Sequence, residues 1–228
     1  MPRTPGSHSS RTPKLAGVTS SSAPLALVGD RYWVYLIARA VPAALVAAFI
    51  TFSADHSVRV GWTALAVLGA ATGLIVVTAS VRMLRGATGT LLAIQGAALL
   101  VGAVIALVAS ASGVGVFTAV LGAVFGLSGA LELVAGIRAR GALSVARDWI
   151  FLGGLSMVFA LAIVFIPVDY SEVITVPGKD VPNLTASVVV VGTLGAHAAI
   201  AAVYLVIAGL SLKWAKHPEA VTTVESAP

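Results

Sequence analysis

The chain has 228 residues, of which 58% are hydrophobic and only 10% are charged, and its net charge is +5. A soluble domain carries roughly 25% charged residues, so the composition excludes an ordinary soluble protein and favours one whose outer surface faces lipid. The chain contains no cysteine, which excludes disulfides, thiolate nucleophiles and cysteine-ligated metal sites.

The two ends of the chain differ in composition from its centre. Residues 1–29 are rich in Ser, Thr, Pro and Gly and include three basic residues, and residues 214–228 are also polar. Segments of this kind bury too little apolar surface to offset the entropy lost on ordering. We therefore predict a membrane domain at 30–213 with a disordered tail before it and another after it in the sequence.

The membrane domain contains six apolar segments, each close to the ~20 residues that cross a bilayer as a helix. None alternates polar and apolar residues as a barrel strand would. The sequence predicts an all-α integral membrane bundle of six transmembrane helices, arranged as three tandem helical hairpins. The predicted spans are about 32–52, 61–81, 91–109, 114–137, 149–167 and 186–212.

The basic residues set the predicted orientation. With the N-terminus inside, eleven Lys and Arg residues fall on the inner side, and only Arg59 and Lys179 fall outside. Cytoplasmic loops of membrane proteins are enriched in Lys and Arg, so we expect both termini in the cytoplasm of a bacterial cell whose plasma membrane holds the protein. The segment Val168–Thr185 then becomes an extracytoplasmic loop, and the scattered cations do not indicate nucleic-acid binding.

A short repeat supports the hairpin arrangement. Ala66–Leu74 reads AVLGAATGL and Ala119–Leu127 reads AVLGAVFGL, and Arg85 and Arg138 follow at the same offset. A weaker copy, LGAHAA, begins at Leu194. Small residues let membrane helices approach closely. The glycines predicted to lie at such helix contacts are Gly69, Gly73, Gly122, Gly126, Gly129, Gly136 and Gly195.

Four polar residues fall inside the predicted spans: Arg39, Gln95, Glu132 and His197. A charge at the bilayer centre costs at least ~2.5–3.5 kcal/mol, so it is expected to be paired, neutral or near an edge. We expect Glu132 to pair with Arg39, with Gln95 as a third partner. Glu132 then belongs either to a structural lock or to a proton- or solute-coupled site, or it is an incidental carboxylate at shallow depth. His197 either makes an interhelical hydrogen bond or responds to pH, because histidine titrates near neutrality.

The second half of the chain carries a family resemblance. Trp149, Gly154, Pro167, Gly209 and Lys213 follow in the order of a hydrophobic repeat: a Trp opens a helix, a Pro closes it, and a basic residue ends the next helix. In this respect the chain resembles the HdeD-like family of bacterial inner-membrane proteins, whose function is unknown. The resemblance implies six spans and an association with acid stress, and it implies no catalytic residue. The first hairpin departs from the pattern.

No nucleotide-binding, hydrolase or metalloprotease motif is present in the sequence. We therefore predict no enzymatic activity, no cofactor and no metal, and the bilayer as the main partner. The sequence indicates no particular small-molecule ligand, and the small helix faces also allow a homo-oligomer. The leading interpretation is a non-enzymatic, structural or stress-associated protein of HdeD-like type. The alternative is a small transporter that uses Glu132 and His197. A third interpretation, a subunit that handles lipids, needs grooves that reach the basic residues Arg82, Arg85, Arg138 and Arg140.

Overall fold

The computed structural model describes residues 31–173 and 183–215, and these form a bundle of six long helices. Each helix is long and apolar enough to cross a membrane, which confirms the predicted all-α bundle of six spans. The helices are α1 Tyr32–Phe52, α2 Val58–Met83, α3 Gly86–Val108, α4 Val114–Ala139, α5 Ala146–Val164 and α6 Ala186–Trp214.

Several helices extend beyond the predicted boundaries. Helix α2 begins at Val58 because a polar turn precedes it, in which Asp55 accepts a hydrogen bond of 2.8 Å from the backbone N–H of Ser57. Helix α5 is shifted toward its N-terminal side, and it ends at Val164. A proline disfavours helical backbone at the residue that precedes it, so Pro167 ends the helix earlier than expected.

Two turns depend on glycine. Gly86, the first residue of α3 after the turn from α2, has a φ of +66°, and Gly141, between α4 and α5, has a φ of +82°. Only glycine adopts this left-handed region without a steric penalty. Both turns lie at the end of the bundle where the described chain also begins and finishes. We call it the basic end, because it holds Arg31, Arg82, Arg85, Arg138, Arg140, Arg147 and Lys213.

The long connection from α5 to α6 lies at the opposite end. Two short strands, β1 Ser171–Glu172 and β2 Leu184–Thr185, pair in antiparallel fashion beside the start of α6. Next to them the Tyr170 hydroxyl donates a hydrogen bond of 2.8 Å to Glu172, and this bond raises the pKa of Tyr170. The centre of the predicted loop, including Lys179, lies outside the described residues, as do the predicted tails except Trp214 and Ala215.

The helices pack in a closed ring with a regular alternation. The closest pairs are α2 with α3, α4 with α5 and α6 with α1, and the pairs within each tandem hairpin are looser. The even-numbered helices also contact one another. The helices that carry the repeat therefore form the inner part of the bundle, and each packs most closely on the helix that follows it around the ring.

Close backbone approach explains the tightest pairs. A methyl group added at Gly73 of α2 would lie 2.7 Å from the carbonyl oxygen of Gly96 on α3, and Gly69 faces the same helix. Between α4 and α5, Gly129 stands in the same relation to Gly153, at 2.9 Å from its carbonyl oxygen. In both pairs only glycine fits without a shift of the partner backbone.

The remaining predicted glycines divide into two groups. Gly136 contacts the start of α5, and Gly195 contacts Ile50 of α1, with no space for a side chain at either position. Gly122 and Gly126 face α5 as well, but an added methyl would lie 3.7 Å from its nearest neighbours. That distance is an ordinary van der Waals contact, so the second copy of the repeat does not form the predicted close approach.

Two tryptophans near helix ends lie inside the bundle, although tryptophans at the ends of membrane spans commonly sit at the membrane surface. Trp62 is 1% exposed and Trp149 is fully buried. Each indole N–H has a partner: the carbonyl oxygen of Ser112 at 3.4 Å for Trp62, and the hydroxyl of Tyr32 at 3.0 Å for Trp149. Trp214 is 64% exposed. The outer surface of the bundle carries many exposed aliphatic side chains, as a surface in contact with lipid requires.

Candidate functional site

An ion pair crosses the interior of the bundle. The Arg39 guanidinium of α1 donates to both carboxylate oxygens of Glu132 on α4, with Nη1–Oε1 at 2.7 Å and Nη2–Oε2 at 3.3 Å. The Glu132 side chain is 2% exposed and the Arg39 side chain 13%. A two-point contact between guanidinium and carboxylate is the strong form of such a pair, and the sequence-based expectation matches this geometry.

A third helix joins the pair through Gln95 of α3. The Gln95 side-chain N–H donates to Glu132 Oε2 at 2.7 Å and approaches the Ser128 hydroxyl at 3.3 Å. Gln95 is fully buried. Glu132 therefore accepts hydrogen bonds from two other helices, and the network links α1, α3 and α4 within the bundle.

His197 of α6 lies in an aromatic environment. Its Nε2 atom is 3.2 Å from the Ser156 hydroxyl of α5. The ring of Phe125 meets the imidazole edge to face with centroids 4.8 Å apart, and Phe159 lies at 4.9 Å. His197 is 8% exposed. The hydrogen bond across helices expected for this residue is present, and Ser156 is its partner.

The ion pair and the histidine share one cavity. The cavity has a volume of about 50 Å³, and residues from all six helices line it. A buried water needs about 10–15 Å³ of such space, so the volume corresponds to about three to five waters. The polar residues of its wall are Arg39, Thr72, Ser128, Glu132, Ser156 and His197. We call this space the central cavity.

Two atoms of the cavity-lining residues lack a partner within the described part of the chain: Arg39 Nε and His197 Nδ1. Buried polar atoms almost always have a hydrogen-bond partner. The combination of a cation, a carboxylate, an imidazole and hydroxyl groups around a small space suits a polar occupant, such as water, a proton or a small solute.

The structure thus brings all four sequence-predicted polar residues to the centre of the bundle. Sequence analysis missed Thr72 and Ser156, because Ser and Thr are common in membrane helices and usually bond to their own backbone. It also missed Phe125 and Phe159, which read as core residues. The spacing of Ser128 four residues before Glu132 was a usable signal, because it places both on one helix face.

Comparison with known proteins gives no relative: no family model, no curated protein and no solved structure matches this chain.

Proposed function

We propose that this multi-pass membrane protein is a small proton-coupled transporter in which Glu132 and His197 act in the central cavity. The observation that carries the proposal is that both residues line one cavity bounded by all six helices. Ionisable residues inside membrane proteins commonly form proton relays or substrate pathways. In this proposal the protein is not an enzyme and requires no cofactor.

The ion pair can couple the binding of a proton to a movement of the helices. A proton added to Glu132 cancels the charge that Arg39 contacts at 2.7 Å. The guanidinium then lacks its counter-ion in a low-dielectric interior, where an unpaired charge is costly. Arg39 and Glu132 belong to different helices, so the loss of their attraction favours the separation of α1 from α4. The Arg39 guanidinium is then able to bind an anionic solute.

A second candidate is the structural, stress-associated role of an HdeD-like protein. Glu132 accepts hydrogen bonds from both Arg39 and Gln95, which favours a lock that holds three helices in register. Four of the residues that carry the family resemblance lie in α5 and α6, and the fifth, Pro167, follows α5. These are the helices on either side of the Ser156–His197 contact. In this role the network holds the bundle together and moves no proton.

The charge distribution supports the orientation in this proposal. Seven cations of the described residues lie at the basic end, whereas Arg59 lies at the other end. Positively charged loops remain in the cytoplasm. We infer that the basic end faces the cytoplasm, that both termini lie there, and that the membrane is a bacterial plasma membrane.

Proton flux into liposomes that contain the purified protein tests the proposal. We expect a pH gradient to drive flux in the wild type across about pH 5 to 8, the range in which histidine changes charge, and we expect Glu132→Gln and His197→Ala to abolish it. Thr193→Ala is the matched control, because Thr193 lies one turn before His197 and bonds to its own helix at Val189. Undiminished flux in both cavity variants would contradict the proposal.

A carrier that moves protons only together with its solute would show no flux in the first test. The pH dependence of thermal stability is a second measurement for that case. Burial in the same cavity wall as Arg39 opposes a positive charge on His197 in the folded protein, whereas a histidine in the unfolded chain gains that charge at about pH 6.5. Proton uptake by the unfolded state then lowers stability as the pH falls, so we expect the thermal midpoint of the wild type to fall from pH 8 to pH 5. His197→Gln should reduce this dependence. A flat pH profile in the wild type, together with absent flux, would favour the structural candidate.

A further inference from the structure

A groove runs along the outside of the bundle between α5 and α6. These two helices pack much less closely with each other than α5 does with α4, or α6 with α1. Two adjoining hollows of about 360 and 400 Å³ lie along this seam, and both are lined by Tyr204 and Ile207. The two hollows meet at these side chains, and together we call them the α5–α6 groove.

The α5–α6 groove changes character along its length. The hollow toward the middle of the helices is lined by apolar and aromatic side chains only, apart from the hydroxyl of Tyr204: Phe151, Ala199, Ile200, Val203, Tyr204 and Ile207. The hollow at the basic end adds Ser144, Arg147, Asp148 and Ser211. Polar groups thus occur at headgroup depth and apolar groups at the depth of the hydrocarbon, which is the polarity profile of a lipid molecule.

Tyr204 fixes the shape of the groove. Its ring stacks on Phe151 with centroids 4.0 Å apart and an interplanar angle of 17°, and its hydroxyl donates a hydrogen bond of 2.9 Å to Asp148. The bond engages the Asp148 carboxylate, while the neighbouring Arg147 is exposed. The Ser144 hydroxyl is buried and has no partner within the described residues. The polar end of the groove therefore offers an exposed cation, beside a buried hydroxyl that has no partner within the described residues.

We propose that the α5–α6 groove binds one anionic phospholipid, with an acyl chain along Phe151, Val203 and Ile207 and the phosphate at Arg147. Charge complementarity supports an anionic lipid, because the cation at the groove's rim belongs to an end of the bundle that carries six further cations. A basic residue near a membrane surface contributes about 1 kcal/mol to binding an anionic lipid. The lipid site is independent of the transport proposal.

Native mass spectrometry of the delipidated full-length protein tests the site, with phosphatidylglycerol and phosphatidylcholine added in turn. We expect one phosphatidylglycerol to bind more tightly than phosphatidylcholine. Arg147→Gln should weaken phosphatidylglycerol binding about fivefold, the equivalent of about 1 kcal/mol, and leave phosphatidylcholine binding unchanged. Arg140→Gln is the control, because Arg140 is an exposed cation at the same end but does not line the groove.

A second variant tests the apolar part. Val203 is 61% exposed in the groove, so Val203→Trp should fill the space without disturbing the core and should displace both lipids. Val101→Trp on α3, at 58% exposure, should not. Equal affinity for the two lipids, equal behaviour of the two arginine variants, or unchanged binding in Val203→Trp would overturn the proposal. A loss of dimer mass in Val203→Trp, with lipid binding unchanged, would assign the groove to a second copy of the chain.

Discussion

The ion pair between Arg39 and Glu132 makes a quantitative prediction about stability. Replacing either partner by Gln leaves the other charge without its counter-ion in the interior. Removing one partner of a buried pair costs about 3–5 kcal/mol. Arg39 is the eighth residue of α1 and lies roughly 10 Å from the basic end at ~1.5 Å per residue, so its long side chain recovers part of that cost by reaching toward the headgroups.

We therefore expect each single variant, Arg39→Gln and Glu132→Gln, to lower the free energy of unfolding by about 3 kcal/mol, the low end of the range for a broken buried pair. The double variant has no buried charge at this point, and two amides that can bond to each other and to Gln95. It should lose no more than either single variant. The two single losses would sum to about 6 kcal/mol if they were independent, so the coupling free energy is at least about 3 kcal/mol, the top of the range for contacting residues.

Reversible unfolding in mixed detergent micelles gives all four free energies of the cycle. The control cycle pairs Arg39→Gln with Thr118→Val, because Thr118 bonds to the backbone of its own helix at Val114, near the other end of α4. Those two effects should add to within about 0.5 kcal/mol. Additive effects of Arg39→Gln and Glu132→Gln would show that the pair does not act as a unit, and would refute the reasoning.

Two further variants test the packing of the helices. Gly73→Ala should lower the free energy of unfolding by about 1–3 kcal/mol, the usual cost of overpacking, because its methyl would meet the backbone of Gly96 at 2.7 Å. Gly126→Ala, whose methyl would make an ordinary contact at 3.7 Å with Ala160, should change thermal stability little. Tyr32→Phe removes the hydroxyl that accepts the hydrogen bond of the Trp149 indole. It should lower the free energy of unfolding by about 0.6–1.7 kcal/mol, the range measured for hydrogen bonds between membrane helices. An unchanged thermal midpoint would argue against a role for this bond.

The sequence predicted the spans and the polar centre for the same physical reason. A membrane interior admits only helices of sufficient apolar length, and it leaves a buried charge few partners. Arg39 and Glu132 have opposite charges and lie at similar depths from the basic end, so their meeting could be anticipated without knowing which helices are neighbours.

The lateral order of the helices could not be predicted in this way. Lipid and protein interior are equally apolar, so hydropathy does not say which face of a helix meets which neighbour. The repeat suggested that Gly122 would approach a helix as closely as Gly69 does, yet only Gly69 contacts a backbone. Asp148 lies near the start of α5 and Tyr204 lies in the second half of α6, and the sequence carries no signal of their contact at 2.9 Å.

The pairing of Arg39 with Glu132 also has a consequence for biogenesis. The two residues are 93 positions apart in the chain, and ribosomes add about 5–20 residues per second. The first helix therefore emerges with its arginine roughly 5–20 s before the carboxylate is made. The packing partner of the first helix, α6, is the last helix to be made. Until Glu132 is made, only the reach of the Arg39 side chain toward the headgroups offsets the cost of its charge. The first helix therefore gains its counter-ion and its main packing partner only from helices that are made much later.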